Sequence, residues 1–300
     1  MAITPAFLKK KDKVAIIATA KKFEPKEIEP AIKHLQSWGL EVVTGKNLYN
    51  SFHQFAGSDE ERLEDLQTAL DDESIRAILC VRGGYGTNRI VDEVNFRKFL
   101  KKPKWIVGFS DVTVLHSHIH NKGIETIHAI MPIQFKQASY KSSIGTLKDA
   151  LFGKPVKYLT RSYKLNKPGS AKAEIVGGNL SILCSLVGTP SDIDTKGKIL
   201  FIEDVGDYLY RIDRMIIQLK RSGKLSKLKG LIVGHFTDME DNPIPFGKNV
   251  KQIISEATAE FDYPVCYNFP VGHEAHNFAI ICGREAQFTV TTDKVELKFK

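Results

Sequence analysis

Trp105-Ile-Val-Gly-Phe-Ser-Asp111 runs directly into Val112–His120, VTVLHSHIH. The first stretch reads as a buried strand ending in a serine, and the second carries apolar residues at helical spacing. A serine at such a strand-to-helix turn is held out of the sheet. The helix behind it directs backbone N–H groups and the positive end of its dipole at any oxyanion that develops there. The geometry is that of a nucleophile elbow, although Val112 stands where the pattern G-x-S-x-G has its second glycine. A helix-capping serine is the other reading of Ser110, and these residues alone do not choose between them.

Working outward, the same unit recurs. Lys13–Ala18 is a buried-strand run, and Glu27–Trp38 places Ile28, Ala31, Ile32, Leu35 and Trp38 at helical spacing before Gly39. Glu41–Val43 reads as a strand. Ser58-Asp-Glu-Glu61 has the form of a capping box, opening a helix striped by Leu63, Leu66 and Leu70. The strand Ala77–Val81 then leads into the glycine-rich loop Arg82-Gly-Gly-Tyr-Gly86, which lacks the spacing of a nucleotide-binding loop. Its glycines let backbone approach a ligand, so the amides of Gly83 and Gly84 are candidates, with that of Asp111, for an oxyanion hole; a structural tight turn is the alternative. Strands alternating with helices imply a parallel sheet covered on both faces.

Length and composition agree with a two-domain globular protein. The 300 residues are 42% hydrophobic and 26% charged. The lysine-, proline- and glycine-rich stretch 151–169 reads as a linker between an N-terminal domain, 1–150, and a C-terminal domain, 170–300. Beyond it the sequence predicts strands near Ala173–Val176, Ile199–Ile202, Leu231–Val233, Gln287–Thr291 and Lys294–Phe299. Helices are expected after Gly178, from Tyr208 to Leu219 and near Val250–Ala259.

The net charge of +8 is scattered apart from Lys9–Lys11 and the Lys220–Lys229 stretch, so neither nucleic acid nor a membrane surface is indicated. A mild bias toward an anionic substrate remains. Cys80, Cys184, Cys266 and Cys282 sit in apolar segments and form no C-x-x-C pair, as expected of buried thiols in a reducing cytoplasm. Val14–Ala20 is too short for a signal or a membrane span and reads as the first strand. His116, His118 and His120 lack the intervening glutamate and third ligand of a hydrolytic metal site, so no metal or other cofactor is expected.

Four segments, in order and spacing, are similar to the LD-carboxypeptidases, serine peptidase family S66. They are AGSDEERLEDLQTALDDESIRAILCVRGGYG (56–86), GFSDVT (108–113), FIEDVGDYLYRIDRMIIQLKRSG (201–223), and NFPVGH (268–273) with Gly283 ten positions later. The resemblance implies a Rossmann- or flavodoxin-like parallel-sheet N-terminal domain and a smaller swivelling-type α/β C-terminal domain. It also implies a Ser-Glu-His triad falling on Ser110, Glu203 and His273, a murein tetrapeptide substrate cleaved to release a terminal D-alanine, a role in peptidoglycan recycling, and a homodimer. Side-chain chemistry suits those types: histidine titrates near 6.5 and can take a serine proton, and a carboxylate fixes its tautomer.

The sequence departs from the family at Ala18-Thr19, usually Ala-Pro, and at Ile280-Ile281-Cys282-Gly283, usually Leu-Pro-x-Gly. His276 competes with His273 as the base, and Asn179 is either near the substrate or a helix cap. A microcin-immunity-like hydrolase of peptidyl-nucleotide amides and a non-catalytic anion-binding module are the alternatives.

Overall fold

A computed structural model describes residues 2–300. The first half contributes β1 (Lys13–Ile17), α1 (Glu29–Ser37), β2 (Glu41–Thr44), α2 (Asp59–Asp71), β3 (Ile75–Cys80), α3 (Arg97–Lys101), β4 (Trp105–Gly108), α4 (Thr113–Asn121), β5 (Thr126–His128) and α5 (Lys141–Leu151). The second half adds β6 (Lys157–Arg161), β7 (Gly169–Asn179), α6 (Leu180–Ser185), β8 (Ile199–Val205), α7 (Leu209–Arg221), β9 (Gly230–Thr237), α8 (Val250–Thr258), β10 (Val265–Cys266), β11 (Ile280–Cys282), β12 (Glu285–Val290) and β13 (Lys294–Phe299).

The chain builds two α/β domains, each around its own sheet. In the first the strand order is β11-β5-β4-β3-β1-β2. Strands β1 to β5 are parallel in the flavodoxin-like order 2-1-3-4-5, with the order reversing between β1 and β3. Residues of β1, β3 and β4 are almost wholly buried, which is why their sequences are continuous apolar runs rather than alternating ones. The expected capping box forms at Ser58 and Glu61 and opens α2.

The second sheet has the order β10-β9-β8-β7-β12-β13-β6. Strands β7 to β10 are parallel, and β12, β13 and β6 close one side antiparallel.

Two elements escape a reading by segment. Residues 157–161, within the stretch expected as linker, form β6 at the edge of the second sheet. Strand β11, although close to the C-terminus, pairs antiparallel with β5 and so completes the first sheet. Its apolar triplet Ile-Ile-Cys is buried there, tying the two domains together. The four cysteines are buried free thiols, and burial pushes that of Cys80 up to about 12. No helix among the described residues is long and apolar enough to cross a membrane.

Candidate active site

Strand β4 ends at Gly108, and Phe109 is still extended at φ −152°. Ser110 then turns to φ +61°, the left-handed region that L-residues avoid. Such strain, of order 1–3 kcal/mol, persists only where the surroundings enforce it, and it occurs often at functional positions. Ser110 makes no side-chain cap hydrogen bond to the turn or helix that follows. The capping alternative therefore fails. A Cβ on Gly108 would lie 2.8 Å from Val112 Cγ2, so Val112 packs into the space that a side chain at 108 would need.

The glycine-rich loop lies against this turn. A Cβ at Gly83 would meet Ser110 Cβ at 2.8 Å, its Oγ at 3.0 Å and the Asp111 amide nitrogen at 3.3 Å. Any side chain there would displace the serine. Gly84 adopts φ +120° and Gly86 φ +155°, conformations that favour glycine. Among the described residues the amides of Gly83, Gly84 and Asp111 donate to no protein acceptor.

The Asp111 carboxylate points the other way, into the protein, and accepts from Thr87 N at 2.9 Å; burial pushes its pKa up. Arg62, buried on α2, anchors the same loop from below. It donates to the carbonyls of Thr19 at 2.6 Å and Gly86 at 3.0 Å, and pairs with Asp59, which also holds Arg89. Sequence reasoning passed over Arg62, yet a signal existed: it shares an i, i+4, i+8 face with Leu66 and Leu70, where a charge is out of place.

Glu203 and His273 come from the second domain. Glu203 lies near the end of β8 and is fully buried. Its Oε2 is 2.6 Å from His273 Nδ1, while Oε1 has no hydrogen-bond partner among the described residues. The loop before His273 can lie on Glu203 because residue 272 is glycine at φ +122°. A Cβ there would be 2.9 Å from Glu203 Cβ. Burial would lower the His273 pKa, but the adjoining Glu203 carboxylate outweighs it and the net shift is upward. The imidazole packs on Phe109, the residue preceding Ser110, with ring centroids 4.7 Å apart. Nδ1 is committed to Glu203, which leaves Nε2 as the nitrogen able to exchange a proton with a hydroxyl.

The histidine loop is fastened to the first domain by residues that the sequence did not single out. Gly272 N donates to Asn277 Oδ1 at 3.0 Å, Asn277 N to Ser143 Oγ at 2.9 Å, and Ser143 Oγ to the Ala275 carbonyl at 2.7 Å. Ser143 belongs to α5, so one hydroxyl bridges the domains at the histidine loop. His276, the rival base, is exposed and lies 3.2 Å from Ser142.

Asn179 proves to be a helix cap: it accepts from Ile182 N at 3.2 Å, and its amide donates to Asp204 at 3.0 Å. The three histidines of α4 do not converge. His116 bonds Thr126 and the Gly108 carbonyl, both at 2.8 Å, and burial holds its pKa near 4. His118 meets Ser191 at 2.9 Å, and His120 lies 4.0 Å from Glu174.

Residues 14–129 match the LD-carboxypeptidase N-terminal domain, and residues 172–288 the LD-carboxypeptidase C-terminal domain. The probable murein peptide carboxypeptidase of Bacillus subtilis is 37% identical over 294 residues, covering 94% of this chain and 90% of the relative. The chain belongs to the LD-carboxypeptidase family.

It is thus a serine carboxypeptidase by family, and the murein tetrapeptide carboxypeptidase of Pseudomonas aeruginosa is a further relative, 30% identical over 289 residues, 91% of this chain and 92% of that one. Among LD-carboxypeptidase-like crystal structures, the muramoyltetrapeptide carboxypeptidase of Oxalobacter formigenes superposes with a TM-score of 0.87 at 28% identity, over 96% and 98% of the two chains. The microcin C7 self-immunity protein in complex with aspartyl sulfamoyl adenosine gives 0.89 at 18% identity, over 99% of each chain, and so shares the fold.

Proposed function

We propose that Ser110, Glu203 and His273 are the catalytic triad of a carboxypeptidase that releases a terminal D-alanine from the L-centre of a diamino acid in a murein tetrapeptide. The observation that carries this reading is the 2.6 Å contact between the buried Glu203 carboxylate and His273, whose ring lies against the residue preceding the strained serine. In the forward step His273 Nε2 takes the Ser110 proton as Oγ adds to the scissile carbonyl. The electron pair moves to the carbonyl oxygen, which is received by the amides of Asp111, Gly83 and Gly84. Glu203 stabilises the resulting imidazolium and keeps its tautomer fixed. Collapse breaks the C–N bond, with the His273 proton passing to the leaving amine. Water, deprotonated by the same imidazole, then hydrolyses the acyl-serine. Side chains and backbone suffice for every step, and no cofactor is invoked.

The names of the two murein carboxypeptidase relatives support the substrate. We take the protein to act in the cytoplasm in peptidoglycan recycling, as a homodimer, with its domains divided at 150 and 170 and with neither nucleic acid nor membrane as a partner. Incubation with a defined murein tetrapeptide should yield the tripeptide and free D-alanine by mass analysis. Hydrolysis of an acyl-sulfamoyl adenylate in preference to the tetrapeptide would overturn the substrate assignment.

A further inference from the structure

In the first sheet the strand order reverses between β1 and β3, and open α/β sheets bind ligands in the crevice at the carboxyl ends of such strands. The loop after β1 carries Lys21, and the loop after β3 carries Gly83 and Gly84. A Cβ at Gly84 would lie 2.7 Å from Lys21 Cδ and 2.8 Å from its Cγ, whereas the missing Cβ of Gly83 faces Ser110. Two successive loop residues, with Cα atoms about 3.8 Å apart, therefore separate the lysine stem from the nucleophile.

The Lys21 ammonium has no ion-pair or hydrogen-bond partner among the described residues. Lys136 pairs with Glu27 at 3.1 Å, and Arg62 and Arg89 share Asp59; Arg82 makes one hydrogen bond, to the Lys22 carbonyl at 3.2 Å, and has no carboxylate partner among the described residues, so it and Lys22 are the cations that the test must separate from Lys21. A free cation is thus held beside the candidate oxyanion loop.

An enzyme that removes one terminal residue must recognise the end of its substrate, and that end is a carboxylate one residue beyond the scissile carbonyl. Once the carbonyl oxygen occupies the Gly83–Gly84 amides, the carboxylate falls within a few ångströms of the same loop. We infer that Lys21 binds the free C-terminal carboxylate of the peptide, an assignment that rests on the carboxypeptidase reading above. A lysine suits the task as a mobile point charge whose flexible stem is held by packing.

The test compares a tetrapeptide ending in D-alanine with the same peptide ending in D-alaninamide. The wild type should prefer the free acid. Lys21→Met should lose about 10- to 100-fold in kcat/KM on the acid, mostly through KM, as expected for one hydrogen-bonded charge pair, and should change little on the amide. Lys21→Arg should recover part of the preference, and Lys22→Met should keep it. An unchanged preference in Lys21→Met, or its collapse in Arg82→Met but not in Lys21→Met, overturns the inference. Equal cleavage of both peptides by the wild type overturns it while leaving the peptidase reading intact. A wild type that releases D-alanine from neither peptide removes the peptidase reading and this inference with it.

Discussion

Replacing Glu203 by glutamine keeps the shape of the site and removes one charge. Glu203 is fully buried and its Oε2 lies 2.6 Å from His273 Nδ1, so in the proposed mechanism a full positive charge develops beside it with little solvent between. With the charge centres about 4 Å apart and an effective dielectric constant of about 20, the attraction is about 4 kcal/mol. At 1.36 kcal/mol per decade this is about a thousandfold in kcat/KM. The amide also loses the preference for the tautomer with a proton on Nδ1, which acts in the same direction.

The pH profile gives a second, independent readout. In the wild type the carboxylate raises the His273 pKa, and the base works only when neutral, so the acid limb of kcat/KM should have its midpoint above the ordinary value of 6.5. In Glu203→Gln burial remains and the main opposing charge is gone, with only Asp204 and Asp238 left to oppose it, so the limb should move to lower pH while the plateau falls. Both are measured by following D-alanine release from a tetrapeptide between about pH 5 and 9. A variant with wild-type kcat/KM and an unmoved acid limb would refute the role given to Glu203. The same linkage acts on stability: the raised histidine contributes most below its unfolded pKa, and that contribution is lost as pH rises through the folded one.

Other substitutions probe the remaining parts. Ser110→Ala should abolish labelling by a fluorophosphonate, while wild-type protein should carry the adduct on Ser110 in a peptide map. Gly83→Ala places a methyl 2.8 Å from Ser110 Cβ and should cost at least about a hundredfold in kcat, comparable to losing an oxyanion donor, with a normal circular dichroism spectrum. Ser143→Ala removes the hydroxyl that joins Asn277 N and the Ala275 carbonyl across the domains. It should lower kcat and shift the His273 limb as the loop loosens, with stability falling by about 1–3 kcal/mol in a denaturant titration. His276→Gln should leave kcat/KM within about threefold of wild type, because that ring is exposed.

Much of this was legible in the sequence, and the reasons are specific. Buried parallel strands such as β1 and β4 announce themselves as unbroken apolar runs, and α2 by its capping box. Glu203 and His273 did not announce themselves. A glutamate after an apolar strand and a histidine after glycine are ordinary locally, and only a family resemblance set them beside Ser110. The positive φ of Ser110, and the room that Gly83 leaves for its side chain, are features that no local pattern reports.

Strand β6 was hidden because KYLTR at a sheet edge is mostly solvent-facing, so its polar residues resemble those of a linker. Strand β11 was hidden because pairing with β5 is decided by the packing of two domains, not by its three residues. The bridge through Ser143 is of the same kind: a serine at helical spacing carries no mark of the distant loop that it holds.

The most direct test measures D-alanine release from one tetrapeptide by the wild type, Ser110→Ala and His273→Ala side by side, with each protein shown to be folded. The wild type should turn over and both variants should fall by at least about a thousandfold, to a similar residual rate, because the two residues act as a unit. Turnover by Ser110→Ala at the wild-type rate would contradict a serine nucleophile at this position and the mechanism built on it.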